Sequence, residues 1–381
     1  MASSTSTSLD PSDTASGDDA LIGTARTMRA LVKARKAEGL DLVADRPMPT
    51  GCHGVVGEPG PTEVLIRVKK AGVCGTDRHI YEWDEWAQGR IPTGIVTGHE
   101  FAGVVEAVGP GVERFKPGMR VSGEGHITKW EDFNSRTGNA HIARDTKIIG
   151  VDRDGSFADY LILPQSNVWP LHEDIPDEFG AVMDPLGNAV HTVMEAGVSA
   201  KSVLITGVGI IGLMSVSVAR AAGASRIFVT DANPKRLELA KELGADVAFD
   251  AKTDDDIPEQ IRAETRGEGV DVLLEMSGAP SAIDTGFESL RNGGTASLLG
   301  IPSRPLNFDI TKHVIFKGAK VHGINGRRMW ETWYQMETLL LANKLQLRKI
   351  ITHELPMEDY KEAFRLMQSG EGIKVVLKMG G

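Results

Sequence analysis

Residues 202–212 read SVLITGVGIIG. An apolar, β-branched run passes directly into glycines spaced G-x-G-x-x-G, at Gly207, Gly209 and Gly212, and a helix-forming segment follows. Strand, glycine turn and helix in that order make a dinucleotide-binding unit. Gly207 permits the tight turn, Gly209 lets a pyrophosphate approach the backbone, and Gly212 lets helix and strand pack closely. The helix N-terminus adds free N–H groups and a partial positive charge that suit phosphate. The next predicted strand, RIFVTD (226–231), ends at Asp231, 24 residues beyond Gly207. A carboxylate there accepts hydrogen bonds from the ribose hydroxyls of NAD and repels the 2′-phosphate of NADP. Lys235 and Arg236 lie near enough in sequence to blur that preference.

The same alternation runs downstream. NPKRLELAKELG (233–244) has the Asn-Pro start and Gly end of a helix. VDVLLEMSG (270–278) reads as a strand, APSAIDTGFESLRNGG (279–294) as a helix and TASLLG (295–300) as a strand. Repeated βαβ units predict a doubly wound parallel sheet. PLGNAVHTVMEAG (185–197) reads as a helix leading into it. Upstream the texture differs. MRALVKA (28–34), EVLIRVKKAGV (63–73), EFAGVVEAVG (100–109) and GSFADYLIL (155–163) are short, alternating or β-branched, and bounded by Gly or Pro. They predict an antiparallel barrel or sandwich. The C-terminal part returns to mixed structure, with helices expected over 328–343 and 357–369.

The chain has 381 residues, enough for two or three domains. Its net charge of −10 argues against nucleic acid or an anionic membrane as the main partner. No apolar run approaches the roughly 18 residues needed to span a bilayer. Residues 1–27 are rich in Ser, Thr, Asp and Gly and lack the features of a signal or transit peptide, so a disordered tail is expected. Two cysteines, Cys52 and Cys74, make no disulfide framework and suit the reducing cytoplasm.

AGVCGTDRHIYEWDEW (71–86) and TGHEFAGVVEAVGPGV (97–112) bring Cys74, His99 and Glu100 into the β-rich half. Thiolate, imidazole and carboxylate are the ligand types zinc prefers. Singly, each has an ordinary reading, as a buried small hydrophobe or a turn. A nicotinamide-binding unit downstream strengthens the metal reading, because alcohol oxidation needs an electrophile beside the cofactor. Cys52-His53, in a Gly-rich loop, supplies too few ligands for a second site.

GHEFAGVVEAVGPGV fits the zinc alcohol-dehydrogenase signature GHE-x2-G-x5-G-x2-V at Gly98, His99, Glu100, Gly103, Gly109 and Val112. From about residue 28 onward the chain resembles the medium-chain, zinc-containing dehydrogenases. Within that family it is most similar to the L-threonine 3-dehydrogenase branch, in CGTDRHIYEWDEW, DPLGNAVHT (184–192), VIFKG (314–318), GINGRRMWETWY (323–334) and ITHELPMEDYKEAF (351–364). The resemblance implies an α/β fold: a GroES-like β-rich catalytic domain over 28–183, completed by 335–381, and a Rossmann domain over 184–334. It implies Cys74, His99 and Glu100 as ligands of a catalytic zinc, with Asp184 near the metal and Thr76 and His79 as a proton relay. It carries Ile211, Asp231, Arg236, Leu299, Gly300, Ile301, Ile324 and Asn325 over as NAD+ contacts. The implied reaction oxidises the secondary hydroxyl of L-threonine to 2-amino-3-oxobutanoate, with hydride transfer to NAD+; polyol or butanediol-type alcohols are the alternative. Glu100 or Asp184 are then candidates for the substrate ammonium, and Arg327 or Arg328 for its carboxylate. The family also implies a homo-oligomer, a tetramer or a dimer.

Residues 127–146, ITKWEDFNSRTGNAHIARDT, are the segment that carries a second, structural zinc in relatives with four cysteines spaced C-x2-C-x2-C-x7-C. The matching positions here are Lys129, Asp132, Ser135 and Ala143, without a thiolate. One zinc per subunit is therefore expected. The lobe is expected to be held by hydrogen bonds, by local ion pairs such as Lys129 or Arg136 with Glu131 or Asp132, and by packing of Trp130 and Phe133 against its own or a neighbouring subunit.

Overall fold

The computed structural model describes residues 26–380. Most of the expected tail lies outside that range. Its last residue, Thr27, opens the strand Thr27–Lys33.

Six parallel strands form the nucleotide-type sheet. In spatial order they are Val247–Asp250, Arg226–Asp231, Ser202–Thr206, Val270–Glu275, Leu290–Leu298 and Lys320–Gly323. In chain order this is 3-2-1-4-5-6, with the reversal between Ser202–Thr206 and Val270–Glu275. Ligands of such sheets bind outside the carboxyl ends of the strands at that reversal. The central strands are apolar on both faces because helices cover both: Val203, Leu204 and Ile205 are all buried. Met183–Ala196 and Ile210–Ala221 cover one side, packing Leu186, Val190, Leu213 and Val216 against Val203 and Ile205. Ile257–Glu264 and Pro280–Ser289 cover the other, with Ile261, Ile283 and Phe287 against Leu204 and Leu273.

A seven-stranded sheet forms the second layer system. Glu63–Gly72 is central to it, flanked by Glu100–Val108, Lys374–Lys378 and Tyr160–Pro164; Ile351–Pro356 lies parallel to Lys374–Lys378. The chain thus returns from the nucleotide sheet to complete this one. A three-stranded sheet, Asp41–Pro47, Thr27–Lys33 and Ile95–Val96, stands beside it.

Element boundaries differ from the sequence reading in places; the strand expected over 155–163, for example, begins only at Tyr160. The helix expected over 279–294 stops at Ser289, and the strand begins at once with Leu290. Leu290 pairs with Val270, yet Thr295 pairs with Val272, so RNGG is bulged out of the ladder. The boundary expected at 334/335 falls inside the helix Glu331–Leu341, which packs on Met183–Ala196. Trp333 of that helix is fully buried and its ring lies 5.6 Å from that of Trp169.

Of the supports expected for the lobe at 127–146, the hydrogen bonds are present and the local ion pairs are not: among the described residues, none of Lys129, Glu131, Asp132 and Arg136 forms an ion pair with another. Phe133 is 78% exposed, so it does not pack within its own subunit. Asp132 Oδ1 accepts from Ser135 N at 2.8 Å, and its Oδ2 accepts from Arg144 N at 3.0 Å. Asp145 does the same for the start of the lobe, accepting from Thr128 Oγ1 at 2.6 Å and Lys129 N at 3.1 Å. His126–Ile127 and Lys147–Ile148 pair as a two-stranded base. A backbone N–H is a fixed partner, whereas a lysine or arginine head must surrender rotamer entropy to pair in water.

Candidate metal and nucleotide site

Cys74 sits at the N-cap of the helix Gly75–Glu82. Asp77, three residues on, returns its Oδ2 to Cys74 N at 2.9 Å, a reciprocal capping arrangement. His99 lies in the tight approach to the strand Glu100–Val108, whose first residue is Glu100. That strand pairs with Glu63–Gly72, setting Glu100 opposite Gly72 and so within reach of Cys74. One ligand atom each from Cys74, His99 and Glu100 falls within 4.8 Å of the others. Among the described residues this is the one cluster of three such groups; Cys52 and His53 belong to none.

The polar atoms of this cluster are unusual for a protein interior. His99 Nδ1, Asp77 Oδ1 and Glu100 Oε1 are buried without a hydrogen-bond partner, while Glu100 Oε2 is met only by an ion pair with Lys374. Leaving such groups unmet costs about 1–3 kcal/mol each, more when charged. A cation bound between thiolate, imidazole and carboxylate relieves that cost, so the donor set fits zinc. Burial works against a charge on His99, but Asp77, with Oδ1 at 3.6 Å, and Cys74 outweigh it and lift the imidazole pKa well above its usual value. Burial also raises the Glu100 carboxyl, against the opposing pull of Lys374.

Thr76 and His79 occupy the first and last turns of the Gly75–Glu82 helix. His79 is exposed, and its Nδ1 lies 2.6 Å from Asp84 Oδ2. Asp184 is in the first turn of Met183–Ala196, two residues past the N-cap position, which Val182 holds. Its Oδ2 is 2.8 Å from Arg327 Nη1. Arg327 is 2% exposed and also binds Glu124 through both Nε and Nη2; Trp333 Nε1 donates to Glu124 Oε2 at 3.1 Å. Burial alone would raise the Glu124 carboxyl, but Arg327 and His126 hold it far below its ordinary range. This network removes Arg327 from the candidates for a substrate carboxylate, because its donors are committed. Arg328 is likewise paired, with Glu195 at 2.7 Å.

In the nucleotide sheet, Gly207 has φ +85°, and a Cβ on Gly212 would stand 2.1 Å from Gly207 O. A Cβ on Gly209 would meet nothing within 4 Å: it would project into open space at the N-terminus of the helix Ile210–Ala221. A pyrophosphate fits there. Asp231 Oδ2 accepts from Val208 N at 2.9 Å and its Oδ1 from Asn233 N at 2.8 Å, so the carboxylate also fixes the glycine turn. Ile211 and Arg236 are part-buried. Leu299, Gly300 and Ile301 follow the strand Leu290–Leu298, and Ile324 and Asn325 follow Lys320–Gly323. All these positions gather at the carboxyl ends of the strands.

Residues 60–173 match the model of the alcohol dehydrogenase GroES-like domain, and residues 211–342 match that of the zinc-binding dehydrogenases. The chain belongs to the zinc-binding dehydrogenase family. It is 46% identical to L-threonine 3-dehydrogenase of Symbiobacterium thermophilum, over 93% of this chain and 98% of that one. It is 43% identical to the enzyme of the same name from Bacillus subtilis, over 92% and 98%. Among solved structures it is similar to the alcohol dehydrogenase of Thermus sp. ATN1, with a TM-score of 0.83 and 30% identity over 93% of this chain and all of that one. As a zinc-binding dehydrogenase the chain has a GroES-like unit joined to a Rossmann-type sheet.

Sequence reasoning missed Asp77, Lys374, Glu124 and Gly72 in this dehydrogenase. Asp77 had a signal, since an acid three residues after an N-cap is the capping-box spacing. Lys374 had none: it reaches Glu100 only through strand pairing across most of the chain.

Proposed function

We propose that the chain oxidises the secondary hydroxyl of L-threonine to 2-amino-3-oxobutanoate, with Cys74, His99 and Glu100 holding one zinc per subunit. The convergence of those three groups within 4.8 Å carries the reading. The relatives' names support the substrate, and Asp231 supports NAD+ over its phosphorylated form. When bound, zinc supplies a Lewis acid that lowers the hydroxyl pKa, and NAD+ supplies the hydride acceptor.

The chain's own residues do the rest. Asp77 holds Cys74 by its backbone and faces His99 from behind, setting both in place. Thr76 Oγ1 accepts the departing proton as it gives up its own hydroxyl hydrogen, and His79 passes a proton on to solvent. Because His79 Nδ1 is on the Asp84 carboxylate, Nδ1 carries the hydrogen and Nε2 is the basic nitrogen. Gly207, Gly209, Ile211 and Gly212 cradle the cofactor phosphates, with Asp231 and Arg236 at the ribose. Leu299, Gly300, Ile301, Ile324 and Asn325 line its nicotinamide half. Asp184, held by Arg327, orients polar groups at the metal rather than moving freely. The division into 28–183 with 335–381, and 184–334, belongs to the same reading, as do a cytoplasmic homotetramer and a lobe at 127–146 without zinc.

Cys74→Ser tests the site. Zinc per subunit is expected to fall from one to near zero, and dehydrogenase activity with it; survival of both overturns the assignment, and two tightly held zincs in the parent overturn the count. Turnover of L-threonine is expected to exceed that of butanediol or sorbitol, and the reverse order overturns the substrate.

A further inference from the structure

Lys374 is a fully buried lysine, and it faces a fully buried glutamate. Their meeting is built by three adjacent strands. Glu63–Gly72 lies between Glu100–Val108 and Lys374–Lys378; its last residue, Gly72, pairs with Glu100 on one side and Val376 on the other. The two side chains converge over the glycine. A Cβ at Gly72 would stand 2.1 Å from Glu100 Oε2 and 3.1 Å from Lys374 Cε. Any side chain there would separate the pair.

Lys374 Nζ lies 2.5 Å from Glu100 Oε2, an ion pair not aligned as a hydrogen bond, and donates to Val73 O at 2.8 Å. Val73 directly precedes Cys74. The ammonium therefore ties one oxygen of Glu100 to the backbone beside the cysteine. Glu100 Oε1 has no hydrogen-bond partner.

We propose that Lys374 and Gly72 are positioning residues for the metal site. Lys374 takes Oε2 of Glu100 and thereby presents Oε1 to the cation held with Cys74 and His99; Gly72 keeps the space in which this happens. The inference rests on the reading of Cys74, His99 and Glu100 as the zinc site. A carboxylate ligand that is itself held by an outer partner loses about 10- to 100-fold in metal affinity when that partner goes. A buried pair kept only for stability would leave metal affinity alone.

The test uses the full-length protein, stripped of metal and titrated with zinc against a chromophoric chelator. The cobalt-loaded form is read by its visible spectrum. Lys374→Met is expected to weaken zinc binding about 10- to 100-fold and to alter the cobalt bands. Gly72→Ala is expected to do the same with Lys374 still present, and stands in if the first variant does not fold. Lys70→Met removes a lysine of the same strand whose partners are Glu178 and Glu354, and is expected to bind zinc as the parent does. Parental affinity and spectrum in either folded site variant overturn the proposal. If Cys74→Ser also binds zinc like the parent, the underlying site reading has failed instead.

Discussion

At the scale of single residues, burial decides which groups hold charge. His141 lies in the lobe, its ring 5.4 Å from that of His191, and its Nδ1 has no partner. Burial, aided by His191 and Arg328, pushes its pKa down to about 4. An unfolded chain titrates this group near pH 6.5. Between those values the unfolded state binds the extra proton, so stability falls as pH drops from about 6.5 to about 4 and this contribution is fully lost below. His141→Asn removes the group. Its melting temperature is expected to fall less than the parent's between pH 7 and pH 5; an equal fall would show that His141 does not titrate in this window.

At the scale of elements, the lobe at 127–146 shows what pattern reading conveys and what it cannot. Spacing identified the four positions that lack thiolates, because spacing is local. That hydrogen bonds hold the lobe is expected from its polar sequence, but their partners were not legible, because Asp132 is three residues from Ser135 but twelve from Arg144, and only the folded turn brings that backbone N–H to its carboxylate. Asp132→Ala removes both contacts and the cap of the short helix Phe133–Arg136. Protease cleavage within 127–146 is expected to quicken severalfold while the melting temperature of the remainder stays near the parent's. Unchanged cleavage would place the lobe's order elsewhere. The nucleotide sheet was far more legible: SVLIT and RIFVTD coincide with strands residue for residue, since a fully buried parallel strand is one apolar run. The edge strand Lys320–Gly323 carried no such run and escaped notice.

At the scale of the whole molecule, Arg327 joins parts that are distant in the chain. It follows the last strand of the nucleotide sheet, yet it grips Glu124 near the seven-stranded sheet and Asp184 on the first covering helix. Gly187 makes room for it, since a Cβ there would lie 2.4 Å from Arg327 Cδ. Removing one partner of a buried ion pair leaves the others uncompensated, at about 3–5 kcal/mol. Arg327→Met is therefore expected to lower the denaturation midpoint markedly, measured by chemical unfolding; a midpoint within error of the parent would mean that Glu124 and Asp184 find other partners. None of this network was readable from the sequence, where Arg327 was a candidate for substrate because its long-range partners were out of sight. The strand Lys374–Lys378 has a consequence for synthesis. The ribosome makes Cys74, His99 and Glu100 early, then the entire nucleotide sheet, and only afterwards the strand bearing Lys374. Segments made first tend to fold first. On the nascent chain Cys74, His99 and Glu100 therefore stand beside the strand end Lys70–Gly72 before its last partner is made, and under the proposed zinc reading the site reaches its finished form only in the released polypeptide.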